Sequence, residues 1–218
     1  MASRRFKFVL FASLATAVIM AAAAAGPLMS KVEQPDYKVE LSEGAFEIRL
    51  YDKMIAAQAQ VEGERKAAIG EGFRLIAAYI FGANKSSNKI EMTAPVQQQR
   101  QQTIAMTAPV TQQFGNGNWT VRFIMPKKWT IETLPVPDDS RVTLIPLPAK
   151  RAIAIRFSGT ASDSTIQNKT SDLREFAERH HIKTSGEPVL AFYNPPWTLP
   201  FLRRNEIMLD VAASADAS

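Results

Sequence analysis

A strand, a glycine and a helix occur in this order twice, and this repeat constrains the fold more than any other feature of the sequence. Residues 51–63 align with residues 147–159, and a helical pattern follows the glycine that ends each segment. A strand has one apolar face and a helix one apolar stripe, so the units must cover one another. The repeat predicts an α+β fold in which duplicated strand–helix–strand units form a distorted antiparallel β-barrel flanked by two helices.

The spacing of apolar residues predicts the individual elements. Helical periodicity predicts helices over residues 63–81 and 164–181, the first with Ile69, Phe73, Ile76 and Ile80 on one stripe. The dipeptide Asn116-Gly117 predicts a tight hairpin turn. Strands are predicted at residues 46–51, 55–61, 89–96, 103–111, 118–125, 142–146, 153–157, 189–193 and 205–211.

These elements belong to one predicted domain over residues 35–211, with pseudo-repeats at about 37–126 and 141–211. Residues 212–218 are small and polar, which predicts a disordered tail.

The first 30 residues have the pattern of a targeting segment. Arg4, Arg5 and Lys7 precede residues 8–25, which carry no charge and end in a run of alanines. This pattern predicts either a cleaved signal peptide or an uncleaved membrane anchor. In both cases the domain is expected outside the cytoplasm, periplasmic or anchored to the inner membrane.

Composition excludes several classes of function. The chain has no cysteine and two histidines, which excludes thiolate nucleophiles and Cys-ligated haem and leaves no metal expected except haem iron. Three of the 26 basic residues lie in the targeting segment, so the domain is almost neutral and no nucleic-acid partner is expected. Catalytic motifs are absent and we expect no enzyme, although a hydrolase built on one buried glutamate, Glu91 or Glu206, stays open.

A second, shorter repeat is sharper. Residues 90–96 and 104–110 share six of seven positions, including Met-Thr-Ala-Pro-Val, and glutamines follow both copies. Met92 and Met106 either present thioethers to a flat aromatic ligand or fill the core.

These paired motifs are similar to those of the SOUL haem-binding protein family. Further segments occur in the order that the family shows: Phe-Glu-Ile-Arg at 46–49, Val-Arg-Phe-Ile-Met-Pro at 121–126, Ala-Ile-Arg-Phe-Ser-Gly at 154–159, Asn-Pro-Pro-Trp at 194–197 and Arg-Arg-Asn-Glu-Ile at 203–207. The resemblance implies a duplicated fold like that of gyrase-inhibitor-type multidrug-binding domains. It also implies non-covalent, reversible binding of haem or another tetrapyrrole in an apolar groove, as a carrier, buffer or sensor.

The resemblance further implies which residues contact the ligand. The end of the first helix matches the family such that Gly70, Phe73, Ala78 and Gly82 fall at contact positions. Animal members carry basic residues at the positions of Gly70 and Ala78, so Arg74 or Arg65 would have to meet the propionates here. The predicted rim of the groove is the loop that contains Trp197 and Leu199.

Three alternatives remain open at this stage. His180 is either a candidate axial iron ligand or a histidine satisfied at a helix end. Arg204 and Glu206 form either a polar site over the groove or a structural ion pair. The groove takes tetrapyrroles or, alternatively, other flat hydrophobic molecules.

Overall fold

The computed structural model describes residues 32–86, 102–195 and 197–212. The predicted α+β class is confirmed, because these residues form helices α1 (Arg65–Ile80) and α2 (Asp163–Arg179) and a nine-stranded antiparallel sheet. The nine strands of the sheet are β1 (Tyr37–Glu43), β2 (Phe46–Tyr51), β3 (Met54–Glu62), β5 (Val110–Gly115), β6 (Asn118–Ile124), β8 (Val142–Leu147), β9 (Lys150–Phe157), β10 (Thr184–Phe192) and β11 (Asn205–Val211). Two short strands, β4 (Asn84–Lys85) and β7 (Val136–Pro137), pair separately.

The strand order of the sheet relates the two halves of the chain. The order is β1-β2-β9-β11-β10-β5-β6-β3-β8. Apart from β1, which is added outside β2, this order is symmetric. Counted inward from the two ends, β2 corresponds to β8, β9 to β3, β11 to β6 and β10 to β5. The two halves of the chain are therefore β2-β3-α1-β5-β6 and β8-β9-α2-β10-β11. Strand β2 pairs with β9 of the other half, and β8 likewise pairs with β3. Each half therefore completes the sheet of the other.

The sheet is not closed into a barrel, so that part of the predicted fold is wrong. Its two ends, β1 and β8, do not pair with each other. Edge β8 contains Pro146, which has no N–H to donate to a further strand. Edge β1 has an irregular register between Val39 and Leu41 and exposes charged side chains. Both features of the edge strands disfavour pairing with a further strand, so the sheet stays open.

Both helices lie on one face of the sheet. Helix α1 packs on β3 and β6, and Gly72 makes this approach close, since a Cβ there would lie 2.6 Å from Cγ2 of Val121. Helix α2 packs on β9 and β11 through Leu173 and Phe176. The helix N-termini meet where Arg65 Nη1 donates to Asp163 Oδ1 at 2.9 Å.

The other face of the sheet is covered in the β2, β9 and β11 region. A third apolar cluster lies there, with Tyr51, Ala154 and Met208 buried and Val32 and Tyr37 packed over them. Residues 32–37 therefore cover a face of β2 that the alternation of polar and apolar residues in this strand predicts to be exposed to solvent.

The hairpin prediction is confirmed, whereas one predicted strand is mostly wrong. Asn116 and Gly117 join β5 to β6 with φ of 53° and 82°, the two positive values that a type I′ turn needs. The predicted strand over 103–111 begins only at Val110. Before it, the N–H of Ile104 donates to Ile80 at the end of α1, so this segment binds the helix end.

Other predictions fall outside the described residues. These are the targeting segment at 1–30, the strand at 89–96 with Met92, Glu91 and nearly all of the tail. Within the described ranges, neither helix is long and apolar enough to cross a membrane.

Candidate functional site

Helix α1 exposes a second apolar face on the side away from the sheet. Its buried residues are Ala68, Gly72, Ile76, Tyr79 and Ile80. The outward side carries Gly70, Phe73, Arg74, Ala78 and, at the helix end, Phe81, all of them exposed. Phe73 is 40% and Phe81 63% exposed. We call these five residues the α1 outer face.

Helix α2 is a control within the same molecule. It occupies the matching place in the other half of the sheet, yet every exposed residue between Asp163 and Arg179 is polar or charged. Exposed aromatic side chains on a helix indicate a contact surface for a ligand or partner. The contrast between the helices therefore points to α1 rather than to a general property of the fold.

Phe73 differs from its predicted position on the helix. The sequence stripe groups it with Ile76 and Ile80, but those two are buried, while Phe73 stands at the flank of α1. Its ring centroid lies 5.6 Å from that of Phe123, so the core orients one edge of the ring and leaves the rest in solvent.

Arg74 is the cation among the five residues of the α1 outer face. Its Nε donates to the carbonyl of Gly70 at 3.3 Å, and no carboxylate in the described part of the chain pairs with it. Arg65, the other predicted candidate, already pairs with Asp163 and lies 5.9 Å from the ring of Trp119.

Gly82 is buried and lies just beyond the helix end with φ of 118°. Only glycine adopts this backbone conformation readily. Here the residue ends the helix, and it lies off the exposed surface that the α1 outer face forms.

The predicted rim residues lie in the loop between β10 and β11. Trp197 is 72% exposed, and Leu199 precedes a short 3-10 helix, Pro200–Leu202. The N–H of Gly159, just before α2, donates to the carbonyl of Pro200 at 2.8 Å. The structure thus groups Gly70, Phe73, Arg74 and Ala78 on α1, whereas Trp197 and Leu199 belong to a loop that is joined through Pro200 to the segment before α2.

His180 lies at the C-terminal end of α2. Its Nε2 is 3.0 Å from Oε2 of Glu43, and its ring centroid is 4.4 Å from that of Phe176. Its partner is therefore a carboxylate on β1. Across the described ranges, no group of three or more histidine, aspartate or glutamate side chains could hold a metal ion.

Met106 is 36% exposed, so it does not fill the core. It follows Ile104, which binds the end of α1, by two residues.

A buried charge cluster lies on the opposite face of the sheet. Glu206 is 1% and Arg49 2% exposed. Arg49 donates to both oxygens of Glu206 at 2.6 and 3.0 Å, and Arg204 donates to Oε1 at 2.7 Å. The pair of Arg204 and Glu206 is thus a buried structural ion pair, as one of the two sequence interpretations proposed.

Tyrosines surround this cluster and complete its hydrogen bonds. Tyr193 donates to Glu206 at 2.9 Å, and Arg49 donates to the hydroxyl of Tyr51 at 3.0 Å. Burial alone would raise the pKa of Glu206, but hydrogen bonds and charges of Arg49 and Arg204 hold it below its ordinary value. Burial raises the pKa of Tyr51 to about 12 although Arg49 lowers it.

Sequence reasoning missed Arg49. The alternation of Glu47, Arg49 and Tyr51 with apolar neighbours is typical of a half-buried strand, whose polar side chains face solvent. That face is instead covered by residues 32–37, and the strand pattern carries no signal of this cover.

Comparison with known proteins finds one family whose model matches nearly all of the described domain. A family model described as SOUL heme-binding protein matches residues 32–210. A curated relative, heme-binding protein 2 of Mus musculus, is 28% identical over 187 residues, covering 82% of this chain and 85% of the relative.

Solved structures share the fold at low identity. A structure described as a hydrolase from Listeria innocua is 13% identical with a TM-score of 0.52, covering 79% of this chain and 94% of that one. The EcmrR C-terminal domain is 14% identical with a TM-score of 0.50, covering 82% and 99%. At such identity the likeness shows the fold alone.

Proposed function

Because the chain belongs to the SOUL heme-binding protein family, we propose that it reversibly binds haem or a related tetrapyrrole on the α1 outer face. The observation that carries this proposal is the exposure of Phe73 and Phe81 on a helix whose counterpart α2 exposes polar residues alone. Covering these rings with a flat macrocycle removes apolar surface from water, which favours binding.

The small residues on this face support the same ligand. Gly70 and Ala78 project little or nothing beyond the helix surface, so a planar molecule can approach the backbone beside Phe73. A Cβ at Gly70 would meet no other atom within 4 Å, so this side of the helix is open.

Arg74 supplies charge at the edge of the face. It has no carboxylate partner in the described residues, so a ligand carboxylate can take that place through charge-assisted hydrogen bonds. Haem would bring iron to the site, and a surface that combines aromatic rings with the guanidinium of Arg74 would meet the macrocycle and one of its two propionates. His180 is engaged with Glu43, so the proposal uses no protein axial ligand from α2.

The test is a visible-absorption titration with haemin. We expect saturable binding to the full chain, at least tenfold weaker, or about 1.4 kcal/mol, in Phe73→Asp, since a carboxylate then faces the apolar macrocycle. Arg74→Glu should weaken haemin binding and leave binding of a porphyrin without carboxylates unchanged.

The matched control is Ser171→Asp, which adds the same charge at an exposed position of α2. If Phe73→Asp and Ser171→Asp lower haemin affinity equally, the α1 outer face is not the binding site. Absence of saturable binding in the micromolar range would reject haem itself.

A second candidate is a site for other flat hydrophobic molecules. It is favoured by the α1 outer face itself, whose five residues include no side chain that commonly ligates haem iron. Its signature is displacement of haemin by dye-like amphiphiles that bind with equal or greater affinity.

We further propose a binding role without catalysis. The support is the state of Glu206, which is ionised and held by two arginines and Tyr193 rather than poised as a base with raised pKa. Ester hydrolysis abolished by Glu206→Gln in a folded variant would contradict this role.

The location proposed for the chain is outside the cytoplasm, in the periplasm or on the inner membrane. It is supported by the basic residues followed by an uncharged apolar run at 8–25. Detection of the mature protein in a membrane or periplasmic fraction tests it, and a purely cytoplasmic distribution rejects it.

A further inference from the structure

One loop of the described domain exposes three large apolar side chains within six residues. Trp197 is 72%, Phe201 70% and Leu202 43% exposed. The loop backbone is nevertheless fixed, because Leu202 N–H donates to Leu199, and Gly159 N–H donates to Pro200. A rigid loop that holds such residues in water indicates a contact surface.

The start of the described chain lies at the same place. Oε1 of Gln34 accepts from Arg204 Nη1 at 3.2 Å, and Arg204 follows Leu202 by two residues. Glu33 accepts a hydrogen bond from the backbone of Lys127 at 2.8 Å, in the turn that carries Lys128. Residues 33–34 thus connect the exposed loop and the Lys127-Lys128 turn.

The apolar run of the N-terminal segment ends close by along the chain. It stops at Ala25, seven residues before Val32. Seven Cα–Cα steps span at most about 25 Å. The inference rests on the proposed location with an uncleaved anchor, in which case the bilayer lies within this reach of Val32. The ammonium of Lys127 is paired with Asp36, whereas Lys128 is exposed beside it and suits the negative charge of a lipid surface.

From these positions we infer that Trp197, Phe201 and Leu202 dock this end of the domain on a lipid bilayer. Trp is enriched at the membrane interface, where its ring buries apolar surface and its N–H stays near the head groups. Phe201 and Leu202 enter the boundary of the acyl chains, and Lys128 meets the lipid phosphates. The inference does not depend on haem binding, since the α1 outer face takes no part in it.

The matched control is the tip of the β5–β6 hairpin. Phe192 pairs with Val110 and Val189 with Gln113, so the loop after Phe192 and the tip after Phe114 lie at opposite ends of neighbouring strands. Phe114 is 47% exposed, which makes it comparable with Phe201.

Because the sequence has no cysteine, a single one can be labelled at either site. Phe201→Cys and Phe114→Cys are prepared in the full chain, labelled with an environment-sensitive dye and reconstituted into vesicles of equal parts phosphatidylcholine and phosphatidylglycerol. Bromine on the lipid acyl chains should quench the dye at position 201 at least threefold more than the dye at position 114. Equal quenching at the two positions would overturn the inference, and so would failure of the chain to associate with the vesicles.

A second measurement covers the case in which a labelled variant misfolds. Bromolipid quenching of intrinsic tryptophan fluorescence is compared between the unmodified chain and Trp197→Phe, which leaves Trp119 and Trp129. Most of the quenching should be lost with Trp197, and only Trp129, whose ring lies 5.4 Å from Nζ of Lys128, should keep a small share. If the quenching is undiminished in the variant, or if Trp197 emission shifts with protein concentration in lipid-free solution, the surface contacts something other than lipid and the inference fails.

Discussion

Arg49 and Glu206 are 157 positions apart in the sequence and share two hydrogen bonds, at 2.6 and 3.0 Å, in an environment almost closed to water. Strand β9 lies between their strands β2 and β11. Removing one member of such a pair leaves a buried charge with fewer partners. We expect Arg49→Met to lower the free energy of unfolding by about 3–5 kcal/mol, measured by urea denaturation. A loss below 1 kcal/mol, as for an exposed pair, would contradict this burial.

Acid should reveal the state of Glu206. Its pKa is lowered from 4.5, so the ionised carboxylate stabilises the folded state fully above 4.5, and this contribution is lost as the pH falls through the lower folded value. Glu206→Gln should therefore be less stable at neutral pH and show a flatter dependence of unfolding free energy on pH below 4.5. If the free energies of unfolding of the two proteins fall in parallel below pH 4.5, other carboxylates control acid unfolding.

Two glycines of α1 should respond in opposite directions to the same substitution. Gly72→Ala places a Cβ 2.6 Å from Cγ2 of Val121 and should destabilise by about 1–3 kcal/mol. Gly70→Ala meets no atom within 4 Å and should stabilise by up to about 1 kcal/mol through helix propensity. Thermal unfolding of both variants tests the packing of α1 on β6, which is disproved if Gly72→Ala is as stable as Gly70→Ala.

The end of α2 offers a stabilising change. His181 adopts φ of 54° just beyond the helix, a conformation that costs a non-glycine residue about 1 kcal/mol. His181→Gly should raise the melting temperature by a few degrees, whereas His181→Ala should not. A decrease with glycine would mean that the imidazole itself contributes to stability.

Haem binding should be insensitive to His180. The imidazole binds Glu43 at 3.0 Å, on a strand that lies at the other end of the sheet from β3 and β6, which carry α1. His180→Ala is expected to change haemin affinity less than tenfold and to leave the Soret maximum unmoved. A large spectral change in this variant, with Phe73→Asp binding normally, would move the ligand to α2.

Local sequence patterns were sufficient for most elements. The Asn116-Gly117 turn and strand β11 were predicted because their signals act over neighbouring residues, positive φ in one case and apolar spacing in the other. The strand predicted at 103–111 failed because Ile104 binds the end of α1, a partner that lies 24 positions away and leaves no local trace.

The candidate site was predictable in part. Resemblance identified α1, and the exposed positions of Gly70, Phe73, Arg74 and Ala78 agree with a surface available to a ligand. The exposure of Phe81 was missed, because a phenylalanine at a helix end is expected in the core unless the orientation of the helix on the sheet is known. The burial of Arg49 was missed because residues 32–37 cover this face of β2, and the alternation within the strand does not show whether another segment covers it.

The exchange of β2 and β8 between the halves has a consequence for how the chain folds. On the ribosome, β2 and β3 emerge together, yet β9 and β8, which pair with one edge of each, are synthesised only after residue 141. Closing such long loops precedes any gain from pairing, which slows folding. We therefore expect the N-terminal half to wait, with one edge of β2 and one edge of β3 unpaired, until nearly the whole domain has been translated, and both halves to fold in one concerted step.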